Sequence, residues 1–160
     1  MENLIERPNV KKVNSFIKKY KSSLNVIVLE ETAKTAIDAA KSLNCEVGAI
    51  VKSLLLKLDS TFLLCLVAGD KKCSFKLIKL ISQKDKISMA SPDEVKLQTG
   101  FSIGGVSPVA HQNKLPIFID KSLNRFEFLY AAAGHPNCIF KVNYSDLLNM
   151  TQGIEQNIAE

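Results

Sequence analysis

Val47-Gly48-Ala49-Ile50-Val51-Lys52-Ser53-Leu54-Leu55-Leu56 is the most apolar run of the chain, and a lysine stands in its middle. A run of this length, rich in Val, Ile and Leu, reads as a buried strand. Alternate side chains of a strand face opposite ways, so Lys52 is expected to share a face with Gly48, Ile50, Leu54 and Leu56. An ammonium on an apolar face snorkels to solvent, loses its proton or meets an anion. A packed stem with a solvated head is the plain structural reading. An anion drawn into a cleft is the functional one.

The neighbouring sequence builds on this strand. Asp59-Ser60 reads as a turn and residues 61–68 as a returning buried strand, so the two form a hairpin that Gly69-Asp70 ends. Upstream, Val10, Val13, Phe16, Ile17 and Tyr20 recur at helical spacing between lysines, which predicts an amphipathic helix over 10–21. A short strand at 25–29 precedes a helix that Thr32 can cap, with Thr35 one turn in. Ala33, Ala36, Ala39 and Ala40 let this helix lie close against a sheet, and Asn44 suits a left-handed terminus.

Downstream, Ser74 can cap a helix reaching about 82, with Leu77, Ile78 and Ile81 inward, before a short strand at 87–90. Ser91-Pro92-Asp93-Glu94 is a strong helix start: an N-cap serine, a proline at the first position, then acids in the first turn. Residues 99–116 are the least regular stretch and hold Gly100, Gly104, Gly105, Pro108 and Pro116. Long ordered loops in compact domains are commonly functional, and paired glycines let a ligand approach the backbone. A wide structural turn is the alternative. Strands follow at 117–119, 127–133 and 138–142, the last two joined by the turn Gly134-His135-Pro136. Asn143 or Ser145 can start a final helix to about 150. The chain reads as one domain over 1–160, with residues 1–9 and the polar tail 151–160 expected to fray. Hairpins rather than a steady β-α-β rhythm imply an α/β protein of the α+β kind, with a mixed, largely antiparallel β-sheet or barrel core flanked by helices.

Composition narrows the class. Hydrophobic residues make up 46% of the 160 and charged residues 23%, as in an ordinary globular protein. No stretch approaches the roughly 18 apolar residues of a membrane span, and residues 1–8 lack the pattern of a signal peptide. A cytoplasmic protein without a membrane partner is expected. Cys45, Cys65, Cys73 and Cys138 form no C-x-x-C pair, which favours buried free thiols over metal ligands. Lysine and arginine number 21 against 16 acids, a net charge of +5 that is compatible with a polyanionic partner.

No H-E-x-x-H, Walker loop, G-x-G-x-x-G or G-x-S-x-G is present. Ser107, His111 and Asp120 supply the residue types of a triad, but Ser107 precedes a proline and lacks a nucleophile elbow. No metal or cofactor is expected.

Four motifs then occur in order: Thr35-Ala36 with Ala39-Ala40 and residues 47–54; Val67-Ala68-Gly69-Asp70; Thr99-Gly100-Phe101 with Gly104-Gly105-Val106-Ser107-Pro108; and Ala133-Gly134-His135-Pro136. Together they resemble the YbaK family, free-standing relatives of the editing domain inserted in bacterial prolyl-tRNA synthetases. The resemblance spans roughly residues 30–148. It implies a mixed sheet wrapped by helices and hydrolysis of the ester bond of wrongly aminoacylated tRNA, with a small amino acid, on tRNA-Pro, as the expected substrate. It also implies roles. Lys52 stabilises the terminal adenosine and its phosphate. Gly104, Gly105, Val106, Ser107 and Pro108 hold the aminoacyl end, and Gly134 and His135 edge the amino-acid pocket. Cys73-Ser74 departs from the family's commoner aspartate-containing stretch. The implied partners are aminoacyl-tRNA and a synthetase, with no DNA.

The residues agree with such chemistry. A 3′ ester of tRNA brings its own 2′-hydroxyl, so positioning and electrostatics can suffice without a protein nucleophile. Two other classes stay open at this point: a non-catalytic module binding tRNA or a synthetase, and a small-ester hydrolase using Ser107 or Cys45.

Overall fold

The computed structural model describes residues 3–31, 33 and 35–160. Helix α1 (Pro8–Tyr20) begins with proline at its first position, where no intrahelical donor is lost. Val10, Val13 and Ile17 are completely buried, whereas Phe16 and Tyr20 keep 38% and 37% of their surface. At about 100° per residue these two lie on the flank of the buried stripe. Strand β1 (Val26–Val28) follows. Helix α2 (Ala36–Leu43) is capped by Thr35, whose hydroxyl accepts from the Asp38 amide at 3.1 Å. The expected cap, Thr32, lies outside the described residues. Ala39 and Ala40 pack on Ile50 and Ile139, the close approach their size permits. Asn44 ends the helix at φ 52°.

The apolar run divides. Val47–Ala49 forms a 3-10 turn, and strand β2 is Val51–Leu58. The face of Lys52 therefore carries Leu54, Leu56 and Leu58, not Gly48 and Ile50. The turn requires glycine at 48, where a Cβ would stand 2.7 Å from the Phe126 ring. Strand β3 (Thr61–Ala68) pairs antiparallel with all of β2, from Val51 opposite Ala68 to Leu58 opposite Thr61. Helix α3 (Phe75–Ser82) is capped by Ser74, and α4 (Pro92–Thr99) carries a full capping box between Ser91 and Glu94. Strand β4 (Ile87–Met89) lies between them and pairs with β2 only at Leu56–Leu58.

After the irregular stretch come β5 (Ile117–Asp120), β6 (Leu129–His135) and β7 (Cys138–Val142). Strand β6 starts two residues later than expected and runs through His135, with a register shift against β7 between Ala132 and His135. Asn143 caps α5 (Tyr144–Thr151), and β8 (Ile154–Gln156) ends the element order. The architecture is α+β with two sheets. One is antiparallel in the order β1-β7-β6; the other runs β4-β2-β3-β5-β8, with β3-β5 and β5-β8 parallel. They face each other across the main core, where Val51, Leu55, Leu64 and Leu66 meet Leu129, Ala131 and Phe140. One isolated bridge, Ile50 to Tyr130, joins them at the start of β2. A second cluster, including Leu56, Cys65, Ile78 and Ile158, covers the other face of the larger sheet.

The tail expected to fray is instead held. Ile158 is fully buried, and its amide and that of Ala159 donate to Asp120 Oδ1 at 2.8 and 3.0 Å. Asp120 Oδ2 accepts from the Ser122 amide at 3.1 Å and from the Ser122 hydroxyl. Lys72 and Glu160 exchange both backbone hydrogen bonds at 2.9 Å. At the other end Leu4–Glu6 forms a 3-10 turn before α1. Asp120 is 1% exposed, so removing its carboxylate strands buried donors. Asp120→Ala is expected to lower stability by about 3 kcal/mol, read as a fall in the urea midpoint, with hydrogen exchange rising first at Ile158 and Ala159.

Candidate functional site

A cavity of about 280 Å³ opens where β2 begins. Its walls come from Val51 to Leu55 of β2, from Ile103, Gly104 and Val106 of the irregular stretch, and from Tyr130, Ala132 and Ile139 of the smaller sheet. Lys52 contributes to its lining. Its Nζ donates to the Lys71 carbonyl. Burial pushes the Lys52 ammonium below its ordinary pKa, against partial support from Cys73 and Asp70. Arg125 clamps Asp70 from two nitrogens, Nη1 to Oδ2 at 3.0 Å and Nη2 to Oδ1 at 2.8 Å, which holds that carboxyl below the usual range. The neighbouring Cys65 and Cys73 thiols perturb one another, lowering the pKa of Cys73 and raising that of Cys65.

The glycine loop packs directly on the β6–β7 turn. A Cβ on Gly105 would stand 2.9 Å from the His135 amide nitrogen and 3.1 Å from the Gly134 carbonyl carbon, so only glycine fits there. Gly134 has φ +92°, and a Cβ on it would meet Asn9 of α1 at 2.9 Å. Of the residues singled out in the sequence, Lys52, Gly104 and Val106 line the cavity, and Pro136 joins them. Gly105, Gly134 and His135 line a separate hollow of about 490 Å³ beyond Pro136, with Arg7 and Lys96. The His135 ring accepts from the Asn137 amide through Nδ1 at 3.0 Å. Ser107 is fully buried, and Pro108 borders a third hollow, of about 990 Å³, with Lys12, Lys19 and Lys114.

Residues 30–150 match the aminoacyl-tRNA editing domain. The chain belongs to that family. This editing domain is 31% identical to a protein proposed as a trans-editing enzyme for prolyl tRNA synthetase, whose crystal structure superposes with a TM-score of 0.90 over 96% of this chain and 98% of that one. It is 29% identical to YwhH of Bacillus subtilis (strain 168) over 140 residues, 87% of this chain and 88% of that protein. It is 31% identical to a proline--tRNA ligase of Staphylococcus haemolyticus over 100 residues, 62% of this chain and 18% of that enzyme.

Within the editing domain the serine triad does not assemble. Ser107 Oγ accepts from the Val109 amide at 3.1 Å, His111 Nε2 donates to the Ser107 carbonyl at 2.7 Å, and the Asp120 carboxylate is committed to Ser122 and to the Ile158 and Ala159 amides. Among the described residues no three His, Cys, Asp or Glu side chains gather as a metal site, and no helix is long and apolar enough to cross a membrane. Sequence reasoning missed Ser53 and Tyr130, both on the cavity wall. Ser53 was legible as the second polar residue of an otherwise apolar run, on the face opposite Lys52.

Two outcomes follow from this packing. Gly105→Ala pushes the loop off the turn and is expected to cost about 1–3 kcal/mol, seen in the urea midpoint together with shifted amide resonances at Gly104 and His135. Burial holds the His111 pKa below its ordinary 6.5, with the Ser107 carbonyl opposing and Lys12 reinforcing. The unfolded chain then takes up this proton first. The His111 contribution is complete above about pH 6.5 and is lost as pH falls below it. Unfolding midpoints between pH 7 and 5 should fall less steeply in His111→Gln.

Proposed function

We propose that this editing domain acts in trans as a hydrolase that removes a small amino acid from mischarged tRNA, with tRNA-Pro as carrier. The observation that carries the reading is the small, mainly apolar cavity beside the open edge of β2, to whose lining Lys52 and the glycine loop both contribute. A volume of about 280 Å³ with a mainly apolar lining has room for a small aminoacyl group. Lys52, partly desolvated, gives an anion entering the cleft a stronger attraction than water would allow. Its partner is the phosphate at the terminal adenosine. Gly104 and Val106 hold the aminoacyl end, while Gly105, packed on the β6–β7 turn, and Ser107 and Pro108 fix the loop's path. Gly134 and His135 line the neighbouring hollow beyond Pro136, where Arg7 and Lys96 favour the RNA backbone.

The step needs no protein nucleophile. Water, oriented by the substrate's own 2′-hydroxyl, attacks the ester carbonyl carbon. The carbon–oxygen bond to the 3′ position breaks, and the proton passes to the departing 3′ oxygen. The products are free amino acid and intact tRNA. The chain's contribution is positioning and electrostatic support. A synthetase is the natural supplier of the mischarged tRNA, and the cytoplasm is the compartment where both occur.

A panel of mischarged tRNAs incubated with the purified protein tests the reading. Release of one small amino acid is expected, and Lys52→Ala should slow it by about 100-fold or more with the circular dichroism spectrum preserved. Full activity in that variant removes Lys52 from the mechanism. tRNA bound but left charged across the panel points instead to a binding module of the same fold.

A further inference from the structure

Ser53 is the polar residue of the cavity that the sequence reading left without a role. Along β2 it alternates with Val51 and Leu55, which belong to the main core together with Val95 and Val106. Its side chain therefore stands on the face opposite Lys52, towards the glycine loop. The Ser53 hydroxyl oxygen is buried and has no hydrogen-bond partner among the described residues. Buried hydroxyls are nearly always partnered, and this one lies on a cavity wall.

The backbone at Ser53 is open as well. The Gly69 amide donates to the Ile50 carbonyl at 2.8 Å on the β3 side, and the Ala90 amide donates to the Leu55 carbonyl at 3.0 Å on the β4 side. Antiparallel strands alternate the direction of their backbone groups, so the amide and carbonyl of Ser53 point the same way as those of Leu55, away from β3. Strand β4 pairs with β2 only from Leu56 onward, and Ser53 lies beyond its end. The residue thus turns its hydroxyl to the glycine-loop face and leaves its backbone amide and carbonyl on the open edge beside it. Among the described residues no carboxylate lines the cavity.

We propose that Ser53 seats the α-ammonium group of the ester-linked amino acid. The inference rests on the editing reading and specifies the chemistry of its substrate end. An α-ammonium carries three donors and requires acceptors rather than a cation. Lys52 sends its head to the far face of the strand, at the Lys71 carbonyl. The two faces of β2 then sort the two charges of the substrate, phosphate towards Lys52 and ammonium towards Ser53. A small residue at 53 also leaves the cavity its volume.

Two non-hydrolysable analogues separate this inference from the reading beneath it. 3′-Alanylamino-3′-deoxyadenosine and 3′-propionylamino-3′-deoxyadenosine differ only in the α-ammonium. Their dissociation constants are measured by NMR titration of the intact protein, Ser53→Ala and Ser53→Thr, with folding checked from the same spectra. The intact protein is expected to prefer the alanyl analogue by about tenfold, a difference of about 1.4 kcal/mol. Ser53→Ala should lose most of that preference while its affinity for the propionyl analogue stays within about twofold. Ser53→Thr, which keeps the hydroxyl, should retain it. A preference that survives in Ser53→Ala, or equal affinities in the intact protein, overturns the role of Ser53 and leaves the editing reading standing. Failure of the intact protein to bind either analogue overturns the editing reading and this inference with it.

Discussion

The site depends on one close crossing. A Cβ on Gly69 would stand 2.2 Å from the Val47 carbonyl oxygen, and the Gly69 amide donates to the Ile50 carbonyl at 2.8 Å. No other residue type fits between these backbones without displacing one of them. The crossing turns Val47–Ala49 out of the sheet and fixes Val51 as the first residue of β2. It also brings Asp70 beneath Gly48, where Arg125 clamps it. From that origin the alternation of the strand decides the rest, sending Lys52 to one face and Ser53 to the other. Because β4 starts late along β2, the edge beside both residues stays open.

Much of the fold was legible because it is written locally. The β2–β3 hairpin follows from two apolar runs around Asp59-Ser60, and β3 spans the residues that periodicity assigns to it. The caps at Ser74, Ser91 and Asn143 and the left-handed Asn44 obey short-range rules and stand where expected. What was not legible depends on distant partners. The polar tail carries no strong pattern of its own, and its order comes from a carboxylate 38 residues earlier in the chain. The start of β2 was misjudged by four residues because the backbone that crosses Val47, at Gly69, lies far along the chain.

The site shows the same division. Composition and alternation pick out Lys52, and glycine spacing picks out the loop, but their meeting was known only through a family resemblance. That resemblance treated residues 104–108 and 134–135 as one constellation. Packing separates them: Gly104 and Val106 face the cavity, Gly105 lies against His135, and Ser107 is buried beneath. Ser53 stood out only as a second polar residue in an apolar run, and what marks it is the hydroxyl that lacks a partner among the described residues.

The seam between the two sheets has a mechanical consequence. Apart from shared side-chain packing, the isolated bridge from Ile50 to Tyr130 is the backbone link between them among the described residues. The cavity straddles that seam, with β2 on one wall and Tyr130 and Ala132 on the other. A bound ligand therefore acts as a cross-brace. Its binding energy adds to the stability of both sheets by mass action, and protection against exchange should rise in the two sheets together rather than at the cavity lip alone.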